Sequence, residues 1–223
     1  AFLDAVTHEL NTPLASFRLG LETLARHELT PAQRREFTRR MGEDLERLER
    51  TVTQVLTAAR AEEVLPASRR AESVDLGRLL RANVEELRSR HRLDADSVRI
   101  EGPDSPSVRG DPAELGLVFR NLLENAVKYS DRPVQIRIDV EETTEGRIRV
   151  IISDQGIGIP KQELRRIFRR FYRTGRDVQR QVSGLGLGLF VVRTLLRKNG
   201  GQIVALSEGA GRGSRFVVTL RRA

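Results

Sequence analysis

Cysteine is absent from the chain, which excludes disulfides, a cysteine-ligated metal and a cysteine nucleophile. That absence agrees with a cytoplasmic setting. Tryptophan is also absent, and aromatic residues make up 4%, a poor supply of the stacking platforms that nucleic acids need. No apolar run approaches the ~20 residues of a membrane span. Lysine is scarce, with only Lys128, Lys161 and Lys198 among 39 basic residues. The net charge of +8 invites a nucleic-acid reading, but its distribution argues against one. Residues 1–66 hold 9 basic and 11 acidic side chains, so the excess lies wholly beyond them. It is densest in the arginines from Arg165 to Arg180, where most are expected on a solvated face. No nucleic-acid partner is expected.

What remains is 39% hydrophobic and 31% charged, the balance of a soluble globular protein. The chain opens on Ala1-Phe2-Leu3-Asp4 without a Met and enters a helical pattern at once. It therefore reads as the cytoplasmic portion of a longer protein, whose membrane anchor is expected upstream. Phe2, Val6, Leu10, Leu14, Phe17, Leu21 and Leu24 recur every three or four residues, one stripe of a helix. Phe37, Met41, Leu45, Leu48, Val52 and Val55 form a second stripe. Between them, Thr30 suits an N-cap and Pro31 the first helical position. A lone hairpin would leave much of both stripes wet. Pairing two chains into a four-helix bundle cures this, so a homodimer through residues 1–63 is expected. The alternative is that the stripes pack on the rest of the same chain.

Pro66 and the polar residues after it read as a hinge, dividing a helical domain (1–66) from a second domain (67–223). The second mixes short strand patterns with helices: strands at 72–74, 98–100, 107–109, 134–138, 148–152, 203–206 and 215–220, and helices at about 76–87, 112–128 and 185–199. The expectation is an α+β two-layer sandwich, one mixed sheet with helices on one face.

Two segments carry chemistry. In the first, Thr7-His8-Glu9-Leu10-Asn11-Thr12-Pro13-Leu14, the ring of His8 projects away from the apolar stripe, ~200° around the helix from Val6 and Leu10. Neutral imidazole is a nucleophile near neutral pH. Glu9 can accept the proton of the second ring nitrogen. Thr12, four residues on, shares the face of His8 and can orient a water. Pro13 clashes with the carbonyl of Glu9 and bends the helix one turn beyond His8; by itself it is equally a plain kink. His27 and His91 lack such neighbours and read as solvated polar side chains.

In the second segment, Asn121 and Asn125 lie four apart on one helix face, and their amide oxygens suit Mg²⁺. Glu124 can hold or activate a metal-bound water, and Lys128 can reach a phosphate. The strand at 150–152 runs into Asp154-Gln155-Gly156-Ile157-Gly158, where a carboxylate can accept from the exocyclic amine of adenine. Gly156 and Gly158 let the backbone approach the ring. Further on, Ser183-Gly184-Leu185-Gly186-Leu187-Gly188 opens a helix whose amides can meet phosphate oxygens. Phe168, Phe171 and Tyr172 can anchor a lid between them.

The first string resembles the acceptor box of sensor histidine kinases of two-component systems, with Thr7 and Asn11 replacing a usual Ser and basic residue. The later strings, in order, resemble the N, G1, F and G2 boxes of the catalytic domain in the same family. The resemblance implies a Bergerat-type ATP site and ATP–Mg²⁺-dependent phosphorylation of His8, assisted by Glu9. Transfer to an Asp of a response regulator receiver domain follows, with phosphatase activity assisted by Thr12. It further implies that Asn121 and Asn125 hold the metal and phosphates and that Asp154 reads adenine. Lys128 and Tyr129 then line the site, and the segment Gly184, Leu185, Gly186, Leu187, Gly188 wraps the phosphates. Gly211, Gly213 and Ser214 before Phe216 resemble the last, weaker box, and Leu185 departs from a frequent Thr. A gyrase- or chaperone-type ATPase and a nucleotide-binding scaffold are the alternatives. Neither needs the residues around His8.

Overall fold

The computed structural model describes residues 2–26, 29–60, 71–104, 106–130, 133–175 and 185–223; for residues 2–6, 8–10, 12, 47, 50, 54 and 60 it describes the backbone alone. The expected hinge at Pro66 lies outside the described residues. Helix α1 (Phe2–Arg26) continues through Pro13, and α2 (Pro31–Arg60) runs back along it. A reciprocal cap fixes where α2 begins. The amide and hydroxyl of Thr30 both donate to Gln33 Oε1 at 3.0 Å, and Gln33 N donates to Thr30 Oγ1 at 3.3 Å. The helices touch at Gly20, where an added Cβ would lie 3.0 Å from Met41 Cγ and Sδ. A side chain here would have to push the Met41 side chain aside. The apolar stripes are not spent on this contact: Leu14, Leu21, Leu45 and Val52 remain exposed.

The second region is an α+β sandwich. Five strands form a mixed sheet in the order β2 (Val98–Glu101), β4 (Ile136–Glu142), β5 (Arg147–Asp154), β7 (Ser214–Arg221), β6 (Gln202–Leu206). β2 and β4 are parallel and the other pairs antiparallel. Helices α3 (Leu76–His91), α4 (Pro112–Tyr129) and α5 (Gly188–Lys198) supply the second layer. The expected single sheet is in fact two. β1 (Glu72–Asp75) and β3 (Ser107–Gly110) pair as a separate antiparallel ribbon, joined to the main sheet through the Val108–Arg222 bridge. Both strands are only four residues long, so sequence pattern alone could not assign them a partner.

Alternation along the strands fixes the core. On β5, Ile148, Val150, Ile152 and Asp154 face inward, and on β7 Ser214, Phe216, Val218 and Leu220 do the same. They meet Leu115, Val118, Phe119, Leu122, Leu123 and Ala126 of α4, spaced as one helical stripe. Asn199 locks α4 to the end of α5. Its Oδ1 accepts from Asp111 N at 2.7 Å and its Nδ2 donates to Glu114 Oε2 at 2.8 Å, while Lys198 also pairs with Glu114.

Candidate functional site

The stripe that buries one side of α4 turns Asn121, Glu124, Asn125 and Lys128 to the other, toward a cleft of about 410 Å³. The inward end of β5 adds Asp154, and the segment entering α5 adds Leu185 to Gly188. The elements that make the core therefore converge on the cleft.

Asp154 is 8% exposed and fully engaged. Its Oδ1 accepts from Gly156 N at 2.9 Å and Ser214 N at 3.2 Å, and its Oδ2 from Ser214 Oγ at 2.5 Å. Three donors compensate the burial of a carboxylate and orient it. Ser214 stands directly across the β5–β7 register from Asp154. That pairing crosses sixty residues of chain and is unreadable from local sequence. Gly158 and Gly186 line the cleft at φ 66° and 69°. A Cβ at Gly158 would come within 1.9 Å of the Gly209 carbonyl, and one at Gly186 within 2.6 Å of the Tyr172 carbonyl. Neither position tolerates a side chain. Gly156 is not a wall residue. Its amide serves Asp154 and its carbonyl accepts from Gly213 N at 3.0 Å, so it shapes the turn behind the cleft.

The donor set suits a hard cation and an anion together. Asn121 Nδ2 donates to Leu117 O at 2.8 Å, so the group Asn121 can offer a metal is its carbonyl oxygen. Among the described residues no group of three His, Cys, Asp or Glu could hold a metal. Asparagine oxygens completed by phosphate oxygens and water are the donor set Mg²⁺ accepts. Lys128, with its Nζ 5.3 Å from the Tyr129 ring centroid, supplies positive charge at the same end. The N-cap residue of α5, Leu187, makes no side-chain cap, and a helix N-terminus of this kind suits phosphate.

Several wall residues had no signal in the sequence. Thr51 of α2, 8% exposed, lines the cleft. Next to it Ala58, Leu185 and Leu187 form a small apolar cluster with Val55, Phe171 and Phe190. The Leu at 185 is thus packed beside α2, an apolar role that a hydroxyl would not fill. Phe168 is buried in the main core, while Tyr172 reaches the cleft. Arg165, Arg166, Arg169 and Arg173 are exposed, as the charge pattern predicts. His91 corrects the expectation of a solvated side chain: its Nε2 lies 2.8 Å from Glu124 Oε2. The last turn of α3 packs beside α4, and the reading of His91 took account of its sequence neighbours alone. Glu124 Oε1 accepts from Arg90 Nη1 at 2.7 Å.

The acceptor segment is placed on α1, with Thr7 and Asn11 exposed and Pro13 buried. The side chains of His8, Glu9 and Thr12 lie outside the described residues, as do Ser183, Gly184 and His27.

Residues 110–223 match the family described as "Histidine kinase-, DNA gyrase B-, and HSP90-like ATPase", and residues 1–64 match "His Kinase A (phospho-acceptor) domain". Over 98% of its length the chain is 34% identical to the adaptive-response sensory kinase SasA of Synechococcus sp. (strain JA-2-3B'a(2-13)), spanning 58% of that kinase. It is 30% identical to the sensor-like histidine kinase SenX3 of Mycolicibacterium smegmatis, again over 98% of the chain and 56% of the relative. Full-length ShkA, solved in complex with AMPPNP, superposes with a TM-score of 0.68 at 28% identity, covering 99% of this chain and 45% of that one. The chain thus spans little more than half the length of the curated relatives it matches.

Proposed function

The chain belongs to the sensor histidine kinases, and from that premise we propose that it binds ATP–Mg²⁺ in the cleft and phosphorylates His8. The phosphoryl group would then pass to an Asp of a response regulator. In this reading residues 1–66 form the dimerising acceptor domain and residues 67–223 the catalytic domain. The observation that carries it is the height of the cleft along the hairpin. Gly20 packs on Met41, so ten residues further along α2 Thr51 stands level with residue 10 of the antiparallel α1. The wall of the cleft is therefore within about a turn of His8 along the hairpin axis.

Asp154, pinned by three donors, accepts from the adenine amine. Lys128 and the first amides of α5 hold phosphate oxygens. Asn121 and Asn125 would hold Mg²⁺, which when bound neutralises charge on the phosphates. A ring nitrogen of His8 attacks the γ-phosphorus. The N–P bond forms as the bond to the β,γ-bridging oxygen breaks, ADP leaves, and Glu9 takes the proton of the other ring nitrogen. Thr12 orients water for the reverse hydrolysis.

The exposed leucines of both helices support a homodimer, and the surface around His8 is where a receiver domain would dock. Among the described residues no helix is long and apolar enough to cross a membrane. For the whole protein we propose a cytoplasmic core joined to an upstream anchor; recovery of the intact protein in the soluble fraction after cell lysis would refute that part. Incubation with γ-labelled ATP tests the central reaction. The label should be acid-labile and base-stable, and absent from His8→Gln, whose nucleotide affinity should be unchanged. Undiminished labelling of His8→Gln would end the proposal, and free phosphate without labelled wild type would indicate an ATPase.

A further inference from the structure

Glu124 lies between the two site asparagines of α4 and is gripped from behind. Its side chain is 26% exposed, and one oxygen meets Arg90 Nη1 at 2.7 Å while the other meets His91 Nε2 at 2.8 Å. The second nitrogen of the Arg90 guanidinium, Nη2, donates to Glu86 of α3 and to Glu46 of α2, each at 2.8 Å. Glu86 is itself steadied by Arg120 at 3.1 Å. One side chain therefore joins the acceptor hairpin, α3 and the nucleotide cleft.

We propose that Arg90 is a positioning residue for phosphoryl transfer: it sets the Glu124 carboxylate in the cleft and couples that setting to the seating of helix α2 through Glu46. The inference rests on the kinase reading and assigns that site a further part.

Three physical points support it. An unpaired carboxylate beside a triphosphate would repel it, whereas Glu124 is paired with the Arg90 guanidinium and oriented by both partners. The guanidinium is planar and rigid, so a pull on Nη2 from Glu46 and Glu86 is transmitted to Nη1; a lysine ammonium has no such fork. The bonds also differ in exposure. Arg90 is 19% exposed and Glu124 26%, but Glu46 is 55% exposed. The bond that crosses between hairpin and sandwich is thus the solvent-screened one and the first to part when α2 lifts, leaving the inner pair intact. Burial alone would depress the Arg90 guanidinium, yet Glu124, with Glu46 and Glu86, holds it above its ordinary value.

A double-mutant cycle in the full chain tests this, read as the rate of His8 labelling at saturating ATP, the apparent KM for ATP, and nucleotide affinity. Arg90→Gln should slow saturated labelling about tenfold while KM and affinity move less than about threefold. Combined with Glu124→Gln it should cost no more than Glu124→Gln alone. Arg90→Lys should recover only part of the rate, and Glu46→Gln should slow it by about threefold. Multiplicative losses in the cycle, a change confined to KM, or full rescue by Arg90→Lys would each overturn the assignment. Melting curves guard against trivial unfolding, and a destabilised Arg90→Gln is replaced in the cycle by Arg90→Lys. A wild-type chain that takes up no label defeats the kinase reading instead. The same cycle, read on Mg²⁺-dependent phosphate release from ATP, then decides the role of Arg90.

Discussion

The sandwich and the hairpin solve the burial of apolar surface in opposite ways. In the sandwich, strands that alternate and helices with one apolar stripe close on each other, and Phe119, Leu122, Ile138 and Val218 lose all contact with water. Among its described residues, Val204 and Leu206 are the large apolar side chains that stand out as exposed. The hairpin, far smaller, exposes Leu14, Leu19, Leu21, Leu45, Val52 and Leu56, up to 65% for Leu19, while its Ala58 owes its burial to the sandwich. A sandwich has two faces that cover each other, whereas two helices touch along one line. The contrast teaches that the sandwich closes its own core, whereas the hairpin leaves apolar surface that the proposed pairing of two chains would cover.

Substitutions can break or sharpen that contrast. The largest effect is expected from Phe119→Ala, which opens a cavity at the centre of the sandwich and should cost about 3–5 kcal/mol, seen in chemical denaturation as one cooperative loss independent of protein concentration. Asp154→Asn should be next, and should leave the fold intact. The retained amide oxygen still accepts from the two backbone amides, but the adenine amine loses its charged acceptor. Nucleotide affinity measured by calorimetry should fall about 10- to 100-fold, the loss of one charge-assisted hydrogen bond. Leu21→Ala is the sharpest test of the contrast itself. In a monomer an exposed leucine is worth less than about 0.5 kcal/mol. In a paired bundle the change should lower the melting temperature and raise the dissociation constant seen by analytical ultracentrifugation. A melting temperature that does not vary with concentration in the wild type would dissolve the comparison.

The smallest effect concerns acid. Arg39 and then Arg40 hydrogen-bond Glu36 and hold its carboxyl down at about 2, against an ordinary 4.5. A carboxyl depressed on folding stabilises above its unfolded pKa and loses that contribution as pH falls from about 4.5 to about 2. The group is on the surface, so the loss in hairpin helicity by circular dichroism should be slight, reduced by salt, and missing in Glu36→Gln.

Local pattern made much of this molecule legible. The stripes of α1 and α2, the Thr30-Pro31 start, the alternation of β4 and β5, and the spacing of Asn121, Asn125 and Lys128 all depend on residues within a few turns of each other. What escaped depends on distant partners. β1 and β3 make a ribbon of their own because each finds the other across thirty-odd residues, which periodicity cannot register. Ser214 belongs to a string the resemblance takes in, but its support of Asp154 comes through strand register. Thr51 reaches the cleft because α2 lies against the segment entering α5, and His91 meets Glu124 because α3 ends beside α4. Each of these is a property of packing between elements. A lone polar residue in a string carries no mark of the partner that will satisfy it.

The position of β7 in the sheet bears on how the enzyme is made. The strand latest in sequence lies inside the sheet, between β5 and β6, and brings Ser214 to Asp154. On a ribosome adding ~5–20 residues per second, helices α1 and α2 emerge many seconds before this strand exists. Until it inserts, β6 lacks the strand it pairs with and the Asp154 carboxylate lacks two of its donors. In the proposed reading, a half-made chain therefore displays its acceptor helix well before the nucleotide cleft is complete.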